Sequence, residues 1–545
     1  MPRLEPEGIA FTGETWYYDY AMFVRTKTFK NKDGSSRTYL QIVAGVRVGD
    51  RVRQKVVANL GRLDELEGGQ LDRLVEGLAK FSRHELVREQ ARLLAPEAKW
   101  AKTWGPALIF RRLWEDLGLQ DVFERLLSDT AIVSDLAEAT FAMVLNRLVD
   151  PMSKLGVSEW MKTVHRPEWE QLELHHFYRA LDFLDEHKEG IEQAVYARSS
   201  DLFNLNLDLV LWDTTSTYFE GRAAQGLAEY GFSKDKRPDR VQIMVGVLMS
   251  RDGFPIAHEV FPGNMAEVDT FRQVLKSVKE RFNLSRVILV ADRGMVSEKV
   301  LKEIENAHLE YLVGVRMRKL KAADEVLSRA GRYHKVAKNL EVKEVVHEGI
   351  RYVVCLNPDE VEHDAKVREE AVASLREKLR SGKAKQLIGN SAYRRYLKLD
   401  GAELRINDQA LQEEARYDGK YVIRTNSDLS PEEAALSYKS LWQVERAFRE
   451  LKSGLDLRPV YHWTEKRIRG HVMVCFLALV LEVALRRRLK ALTEDIRYDD
   501  LLLHLSQLKA VEIHLDGQRY LARTELVGHA DLAFRALGMR PPVHV

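Results

Sequence analysis

The chain has 545 residues, of which 45% are hydrophobic, an ordinary proportion for a globular protein and a length sufficient for about three or four domains. Its formal net charge of +2 is too small to indicate a nucleic-acid partner by itself. The two cysteines, Cys355 and Cys475, argue against a disulfide framework or a cysteine zinc site. With no recognisable signal peptide, we expect a cytoplasmic protein.

Positive charge is concentrated near the N-terminus. Between Ala21 and Arg62, ten Lys and Arg residues stand against two Asp residues, a local charge of +8. β-rich segments separated by turn signals such as Asn31-Lys32-Asp33-Gly34 predict a small sheet here. We therefore assign residues 1–65 to a basic, β-rich N-terminal module. It is either a phosphate-binding platform or a merely soluble basic surface.

Residues 66–205 have the pattern of a helical region. Leu71 to Leu94 is predicted to be a charged amphipathic helix, and apolar residues recur at helical spacing from Trp104 to about Phe203. Short helices joined by tight turns are typical of a helix-turn-helix, which makes this a probable DNA-binding region. A plain helical bundle is equally compatible with the pattern.

Two apolar runs each end in an aspartate. Leu207–Trp212 leads to Asp213, and Val287–Ala291 leads to Asp292. We predict that each run is a strand that enters a loop at its acid. Since open α/β sheets bind ligands outside the carboxyl ends of their strands, both acids are expected at one edge.

A third acid lies on a predicted helix that begins at the capping box Ser430–Glu433 and ends near Gly454. On this helix Tyr438, Glu445 and Lys452 are seven residues apart, so they drift by only about 20° per step and form one line. Glu445 borders the apolar stripe. It is either a site residue or one more charge on a solvated helix flank.

Asp213, Asp292 and Glu445 together predict a divalent metal site. Hard oxygen ligands suit magnesium or manganese. The sequence has no nucleotide-binding glycine loop, so we expect no organic cofactor.

The segments Asp213-Thr214-Thr215, Ala291-Asp292-Arg293-Gly294 and Tyr438–Lys452 resemble the three acidic motifs of the DDE transposases. More narrowly, the chain is similar to a bacterial insertion-sequence group with a Tyr-Arg-Glu-Lys signature, the insertion-sequence family four superfamily. The similarity spans roughly Asp208 to Leu485 and includes the block Phe232–Phe271.

Within the signature, Tyr438, Glu445 and Lys452 fit, whereas Leu441 stands where the group has arginine. Arg446 or Arg449 is a candidate to replace that arginine.

The resemblance, together with the order of the predicted strands and helices, implies an α/β fold with an RNase H-like catalytic core. We assign this core to residues 206–315 and 419–490. An insertion domain, residues 316–418, interrupts it, and a C-terminal region, residues 491–545, follows it.

The same resemblance implies a transposase that binds the ends of its insertion sequence, cleaves DNA and joins the 3′ ends to target DNA in a cut-and-paste reaction. Two Mg²⁺ or Mn²⁺ ions about 3.5–4 Å apart would serve each active site. Asp213 would bridge them, and Asp292 and Glu445 would hold one each.

The resemblance also implies DNA contacts around the signature helix. Tyr438 and Lys452 would orient the backbone near the cut, and Trp442 would either stack on an unpaired base or simply pack. Further DNA-binding candidates are Arg446, Arg449 and Arg467. Because two DNA ends must be cut together, we expect a homodimer on DNA, associated with the bacterial nucleoid.

The apolar stretch Val472–Leu485 is too short to span a membrane and contains Glu482. We interpret it as part of a core helix and expect no membrane association.

Two other functions remain compatible with the sequence, a metal-dependent DNA nuclease without strand transfer and a non-catalytic DNA-binding protein derived from a transposase. The three intact acids argue against the second, and the large insertion and separate N-terminal modules argue against a minimal nuclease.

Overall fold

The computed structural model describes residues 22–31, 34–48, 51–66, 71, 73–75, 78, 97–128, 135–203, 209–220, 224–282, 288–292, 296–318, 321–381, 395–400, 403–493, 496–515 and 518–545. The chain folds as two units. One contains residues 1–97 and 514–519, and the other contains residues 98–513 and 520–545.

The first unit contains an antiparallel sheet of β1 (Met22–Lys30), β2 (Ser36–Val48) and β3 (Arg51–Arg62), with β2 in the middle. Five of its cationic side chains are exposed, namely Lys27, Lys30, Arg37, Arg53 and Lys55. This confirms the predicted β-rich, basic N-terminal module. Most of the predicted helix Leu71–Leu94 lies outside the described residues.

The second unit begins with β4 (Glu97–Thr103) and continues with helices, as predicted. They are α1 (Gly105–Asp116), α2 (Leu119–Ser128), α3 (Asp135–Val149), α4 (Lys154–Trp160), α5 (Leu174–Glu186) and α6 (Lys188–Phe203). Buried aromatic side chains, including Trp114, Phe123 and Phe141, fill the space between these helices.

The central sheet follows the helices. β5 (Leu209–Tyr218), β6 (Gln242–Ser250) and β7 (Pro255–Pro262) are consecutive antiparallel strands, and β8 (Ile288–Ala291) and β9 (Glu310–Gly314) continue the sheet parallel to β5. The spatial order is β7-β6-β5-β8-β9. Helix α7 (Glu267–Phe282) precedes β8, and α8 (Glu298–Asn306) joins β8 to β9. Three antiparallel strands followed by two parallel ones with helical crossovers form the predicted RNase H-like arrangement.

The sheet does not end at β9. β15 (Lys420–Thr425) pairs antiparallel with β9, and β12 (Ile350–Leu356), β11 (Leu340–His347) and β10 (His334–Ala337) follow in that order. Among the described residues, nine strands therefore form one sheet. We expected residues 316–418 to lie outside the core. Instead, β10–β12 extend it, because the edge of β15 presents backbone N–H and C=O groups that β12 satisfies.

The rest of residues 316–418 packs around these strands or forms a small separate hairpin. Its elements are α9 (Lys321–Ser328), α10 (Pro358–Arg380), β13 (Leu397–Asp400), β14 (Glu403–Ile406) and α11 (Asp408–Ala415).

The predicted signature helix is divided into three parts. α12 (Pro431–Lys439) begins at the predicted capping box, in which Ser430 and Glu433 each accept the other's backbone N–H. A turn at Ser440 and Leu441 separates α12 from α13 (Trp442–Arg449), and a π-turn covers Glu450–Gly454. The prediction of one uniform helix from Ser430 to Gly454 is therefore wrong. In its final turn the backbone hydrogen bonds run from residue i to residue i−5, as from Leu455 N–H to Glu450 O at 2.8 Å.

Helix α14 (Glu465–Lys490) is the centre of the second unit. It is long and apolar enough to cross a membrane by length and composition, but 89% of its most apolar window is buried inside the fold. It is therefore a core helix, as predicted. Its Gly470 allows a close approach to α5, since a Cβ atom there would lie 2.1 Å from the carbonyl oxygen of Leu181.

The chain ends with α15 (Tyr498–Ser506), β16 (Lys509–Leu515), β17 (Gln518–Arg523) and α16 (Ala530–Ala536). β16 lies between β17 and β4 in a three-stranded sheet.

A buried charge network joins the helical segment, α1–α6, to the central sheet. Burial disfavours the charge on Glu192 of α6, but Lys188, His258 and Arg281 outweigh it and hold the pKa of Glu192 well below its usual range. His258 lies on β7 and Arg281 on α7, so this one carboxylate connects three elements. The helical segment also shares its hydrophobic core with the sheet. The predicted boundary at residue 205 stays a prediction.

The packing of Trp212 against Gly246 gives a test of this sheet. A Cβ atom on Gly246 would lie 2.0 Å from the buried indole of Trp212, so Gly246→Ala should destabilise the fold by about 1–3 kcal/mol and lower its thermal unfolding midpoint. Gly190→Ala in α6 is the matched control, because no atom lies within 4 Å of its Cβ position and alanine favours a helix. Equal midpoints for wild type and Gly246→Ala would contradict this packing.

Candidate active site

Asp213 lies in the middle of β5. We predicted that the strand ends there, and this is wrong, because β5 continues to Tyr218 and pairs with β6 along its length, with Asp213 opposite Val247. The hydroxyl residues that follow Asp213 are mostly β-branched threonines, which favour a strand, and they are buried.

Asp292 comes directly after β8, as predicted. β5 and β8 are parallel neighbours in which Leu211 pairs with Val290, and each aspartate is two residues further along its strand. Side chains two residues apart lie on the same face, and neighbouring strands are about 4.8 Å apart. The register therefore places Asp213 and Asp292 side by side.

The electrostatics of Asp213 agree with this geometry. The pKa of Asp213 is raised to about 6, chiefly by burial and to a smaller extent by the nearby carboxylates of Glu267 and Asp292. The ammonium of Lys234 and the backbone N–H of Thr214, which donates to Asp213 Oδ1 at 2.7 Å, oppose this rise. The site thus carries more negative charge than its own cations neutralise.

Tyr438 connects the signature helix to the second acid. Its hydroxyl donates a hydrogen bond to Asp292 Oδ1 at 3.0 Å, and its ring stacks on Tyr421 of β15 with centroids 5.8 Å apart. The residue predicted to orient DNA is thus a direct neighbour of the candidate metal ligand Asp292.

Glu445 is exposed on α13, whose buried residues Val444, Ala447 and Phe448 hold the helix on the core. Among the described residues, no group of three His, Cys, Asp or Glu side chains lies close enough to share a metal ion. The structure therefore brings Asp213 and Asp292 together but does not bring Glu445 to them.

Lys452 has a different partner from the one predicted for it. It forms an ion pair with Asp235 at 2.6 Å, and Arg458 pairs with the same carboxylate. Burial lowers the pKa of Lys452, and its side chain is only 12% exposed. The predicted line through Tyr438, Glu445 and Lys452 is interrupted because the π-turn changes the winding after Glu450.

The other predicted DNA-binding residues fall into two groups. Trp442, Arg446 and Lys490 line a cavity of about 790 Å³. The side chain of Trp442 is exposed. Arg449 is exposed on the same helix. Arg467 is elsewhere, since its guanidinium stacks on Tyr178 at 4.7 Å and lies 3.4 Å from Asp182.

Sequence reasoning missed Lys234, Asp235 and Glu267. All three belong to the block Phe232–Phe271, which resembles the family, but nothing in the sequence assigns them a partner. Glu267 is the first residue of α7, where an acid is common because it favours the positive end of the helix dipole. Only the structure shows that its carboxylate faces the strand that carries Asp213.

The raised pKa of Asp213 predicts an effect on stability. Since the folded-state pKa of about 6 exceeds the ordinary 3.8, ionising Asp213 costs folding free energy. The cost is absent below about pH 4 and develops as the pH rises through 6. In EDTA, Asp213→Asn should therefore be more stable than wild type by about 2–3 kcal/mol at pH 7 and equal to it near pH 4.

Thermal unfolding between pH 4 and pH 8 measures this difference. Asp239→Asn is the control, because the hydrogen bond from Arg237 lowers the pKa of Asp239 to about 2, so that this variant should gain no stability at pH 7. Equal midpoints for wild type and Asp213→Asn at pH 7 would contradict the buried charge.

Comparisons with known proteins identify the family of the chain. The family model described as "Transposase DDE domain" matches residues 208–481, which is half of the chain and includes all three acids. The model "IS1634 family transposase, N-terminal domain" matches residues 24–91.

Among solved structures, the chain is similar to the Mos1 transposase paired-end complex with left transposon end, at 14% identity and a TM-score of 0.15. The similarity covers 35% of this chain and 64% of that one. A comparison with curated proteins finds no significant match. On the strength of the domain match, the chain belongs to the DDE transposases of insertion sequences.

Proposed function

We propose that this protein is an active cut-and-paste transposase that binds the ends of its insertion sequence, cleaves the DNA there and joins the 3′ ends to target DNA. The observation that carries the proposal is the register of the parallel strands β5 and β8, which brings Asp213 and Asp292 to corresponding positions inside the DDE domain match. Tyr438, the first residue of the signature, already contacts Asp292.

The family generally uses divalent metal ions, and the residues of this site fit one. Asp213 and Asp292 offer hard oxygen ligands, and their uncompensated negative charge favours a cation between them. We propose Mg²⁺ or Mn²⁺, two ions in each active site, held by Asp213, Asp292 and Glu445. A bound ion would lower the pKa of the attacking water or 3′-hydroxyl and stabilise the leaving oxygen.

Glu445 must join the two aspartates for this site to be complete. Its helix, α13, packs against β5 and β6, so the carboxylate belongs to the same face of the sheet. We infer that Glu445 reaches the site when DNA and metal are bound. Its exposed carboxylate leaves it available for that role.

The DNA surfaces follow from the exposed cations. In the first unit, the cations of the β1–β3 sheet would hold the phosphates of the transposon end. In the second unit, Trp442, Arg446 and Arg449 of α13 would contact DNA near the cut. We further propose a homodimer on DNA, because two ends must be cut in one reaction, and a cytoplasmic, nucleoid-associated protein.

The sharpest test concerns Glu445. Glu445→Gln keeps the size of the side chain but removes the charge that a metal ion requires, so cleavage and strand transfer should fall by about a thousandfold or more. DNA-end binding should survive, because the exposed basic surfaces are untouched. The assay is release and joining of ends from a supercoiled plasmid that carries the element's own ends, with Mg²⁺.

Glu432→Gln is the matched control, because it makes the same chemical change in the first turn of α12, outside the three acidic motifs. It should cleave normally. Near-normal cleavage by Glu445→Gln would exclude it as a metal ligand. Cleavage without joining by the wild-type protein would indicate a nuclease, and binding without cleavage would indicate a non-catalytic DNA-binding protein.

The basic sheet provides a second test. Replacing its five exposed cations with glutamine (Lys27, Lys30, Arg37, Arg53 and Lys55) should weaken end binding. It should also reduce the slope of log K against log salt concentration by up to about 4–5, since each lost phosphate contact contributes about 0.9. Neutralising Lys299 and Lys302, which are exposed on α8, is the control. An unchanged salt slope in the five-residue variant would show that this sheet does not bind DNA.

A further inference from the structure

Lys234 contacts two acids at the centre of the site. Its ammonium lies 2.7 Å from a carboxylate oxygen of Glu267 and 3.9 Å from one of Asp213. It also donates to the backbone oxygen of Thr214 at 2.6 Å. One cation thus lies between an acid of β5 and the first residue of α7.

The loop that carries Lys234 is held in place from both sides. The backbone N–H of Lys234 donates to Ser216 Oγ at 2.8 Å, which fixes the loop on β5. The side chain of the next residue, Asp235, is buried and forms ion pairs with Lys452 of the π-turn and with Arg458 beyond it. The position of the ammonium is therefore set by the fold.

We propose that Lys234 is a positioning residue of the active site. When no metal ion is bound, its ammonium balances the negative charges of Asp213 and Glu267. A divalent ion competes with the ammonium for Asp213. This inference rests on the proposed metal-dependent function and adds Lys234 and Glu267 to the residues that control it.

The distances and the charges support such a competition. Glu267 holds the ammonium more closely than Asp213 does, so Lys234 can give up Asp213 and keep Glu267. The lysine side chain is 32% exposed, which allows that small movement without opening the core. Lys234 faces two carboxylates, those of Glu267 and Asp213, and Asp292 adds a third negative charge beside Asp213, so an added divalent cation is still attracted.

The test is Mn²⁺ binding to the full chain without DNA, measured by isothermal titration calorimetry. Lys234→Gln should bind Mn²⁺ about tenfold more tightly than wild type, because a unit charge about 4 Å from a ligand carboxylate opposes the metal. Glu267→Gln should have the opposite effect and weaken Mn²⁺ binding, because it removes negative charge and leaves Lys234 to pair with Asp213 alone.

Two controls separate charge from structure. Lys234→Arg keeps the positive charge and should bind Mn²⁺ as wild type does. Lys236→Gln makes the same substitution at an exposed lysine of the same loop and should change nothing. In EDTA, Lys234→Gln should also unfold at a lower temperature than wild type, and Mn²⁺ should raise its midpoint by more.

The outcomes distinguish this inference from the proposed function. In one outcome, wild type binds Mn²⁺, Asp213→Asn does not, and a folded Lys234→Gln binds Mn²⁺ no more tightly than wild type. That outcome would overturn the role of Lys234 alone. No Mn²⁺ binding by wild type would overturn both. If Lys234→Gln does not fold, Glu267→Gln decides, and unchanged Mn²⁺ affinity in that variant would overturn the inference.

Discussion

The active site depends on one structural constraint, the register of β5 against β8. Because Leu211 pairs with Val290 in parallel strands, Asp213 and Asp292 lie side by side on one face. The opposite face carries buried apolar residues such as Trp212 and Ala291. A shift of one residue in the pairing of either strand would point its aspartate into this apolar layer and expose an aliphatic side chain on the other face. Burying the carboxylate there would cost a large free energy. The hydrophobic layers therefore fix the distance between the two carboxylates.

Placing two carboxylates together costs energy, and the surrounding residues offset part of it. Lys234 supplies a positive charge to Asp213, and Tyr438 donates a hydrogen bond to Asp292. Both partners come from segments distant in the sequence, the loop before β6 and the helix α12. The remaining negative charge is what a divalent cation would neutralise.

The signature segment and the helical segment are held on the core by different interactions. α13 is fixed by the apolar side chains of Val444 and Phe448, while the π-turn after it delivers Lys452 to Asp235. The helical segment is joined to the sheet by the buried carboxylate of Glu192 and to helix α14 by the close approach of α5 to Gly470. Breaking one partner of such a buried ion network leaves an uncompensated charge, which is strongly destabilising. The helices before residue 205 are thus a structural part of the catalytic unit.

The sequence by itself determined the features that depend on local pattern. The aliphatic run before Asp292, the capping box at Ser430 and the basic β-rich segment near the N-terminus were all recognisable, because periodicity and capping involve residues close in the chain. The family resemblance then selected Asp213, Asp292 and Glu445 as the candidate acids. It left open where Asp213 lies in its strand, and local pattern placed it wrongly, since an acid followed by hydroxyl residues was interpreted as the start of a loop although threonine favours a strand.

Only the tertiary structure decided which distant segments meet. Strand pairing extended the sheet through β10–β12, and the loop before β6 brought Lys234 between Asp213 and Glu267. The same folding gave Lys452 a buried partner and left Glu445 exposed. An alternating hydrophobic pattern predicts that a segment is a strand, and a buried charged side chain requires a partner. Neither identifies the partner, because that choice is made by the packing of the whole sheet and its helices.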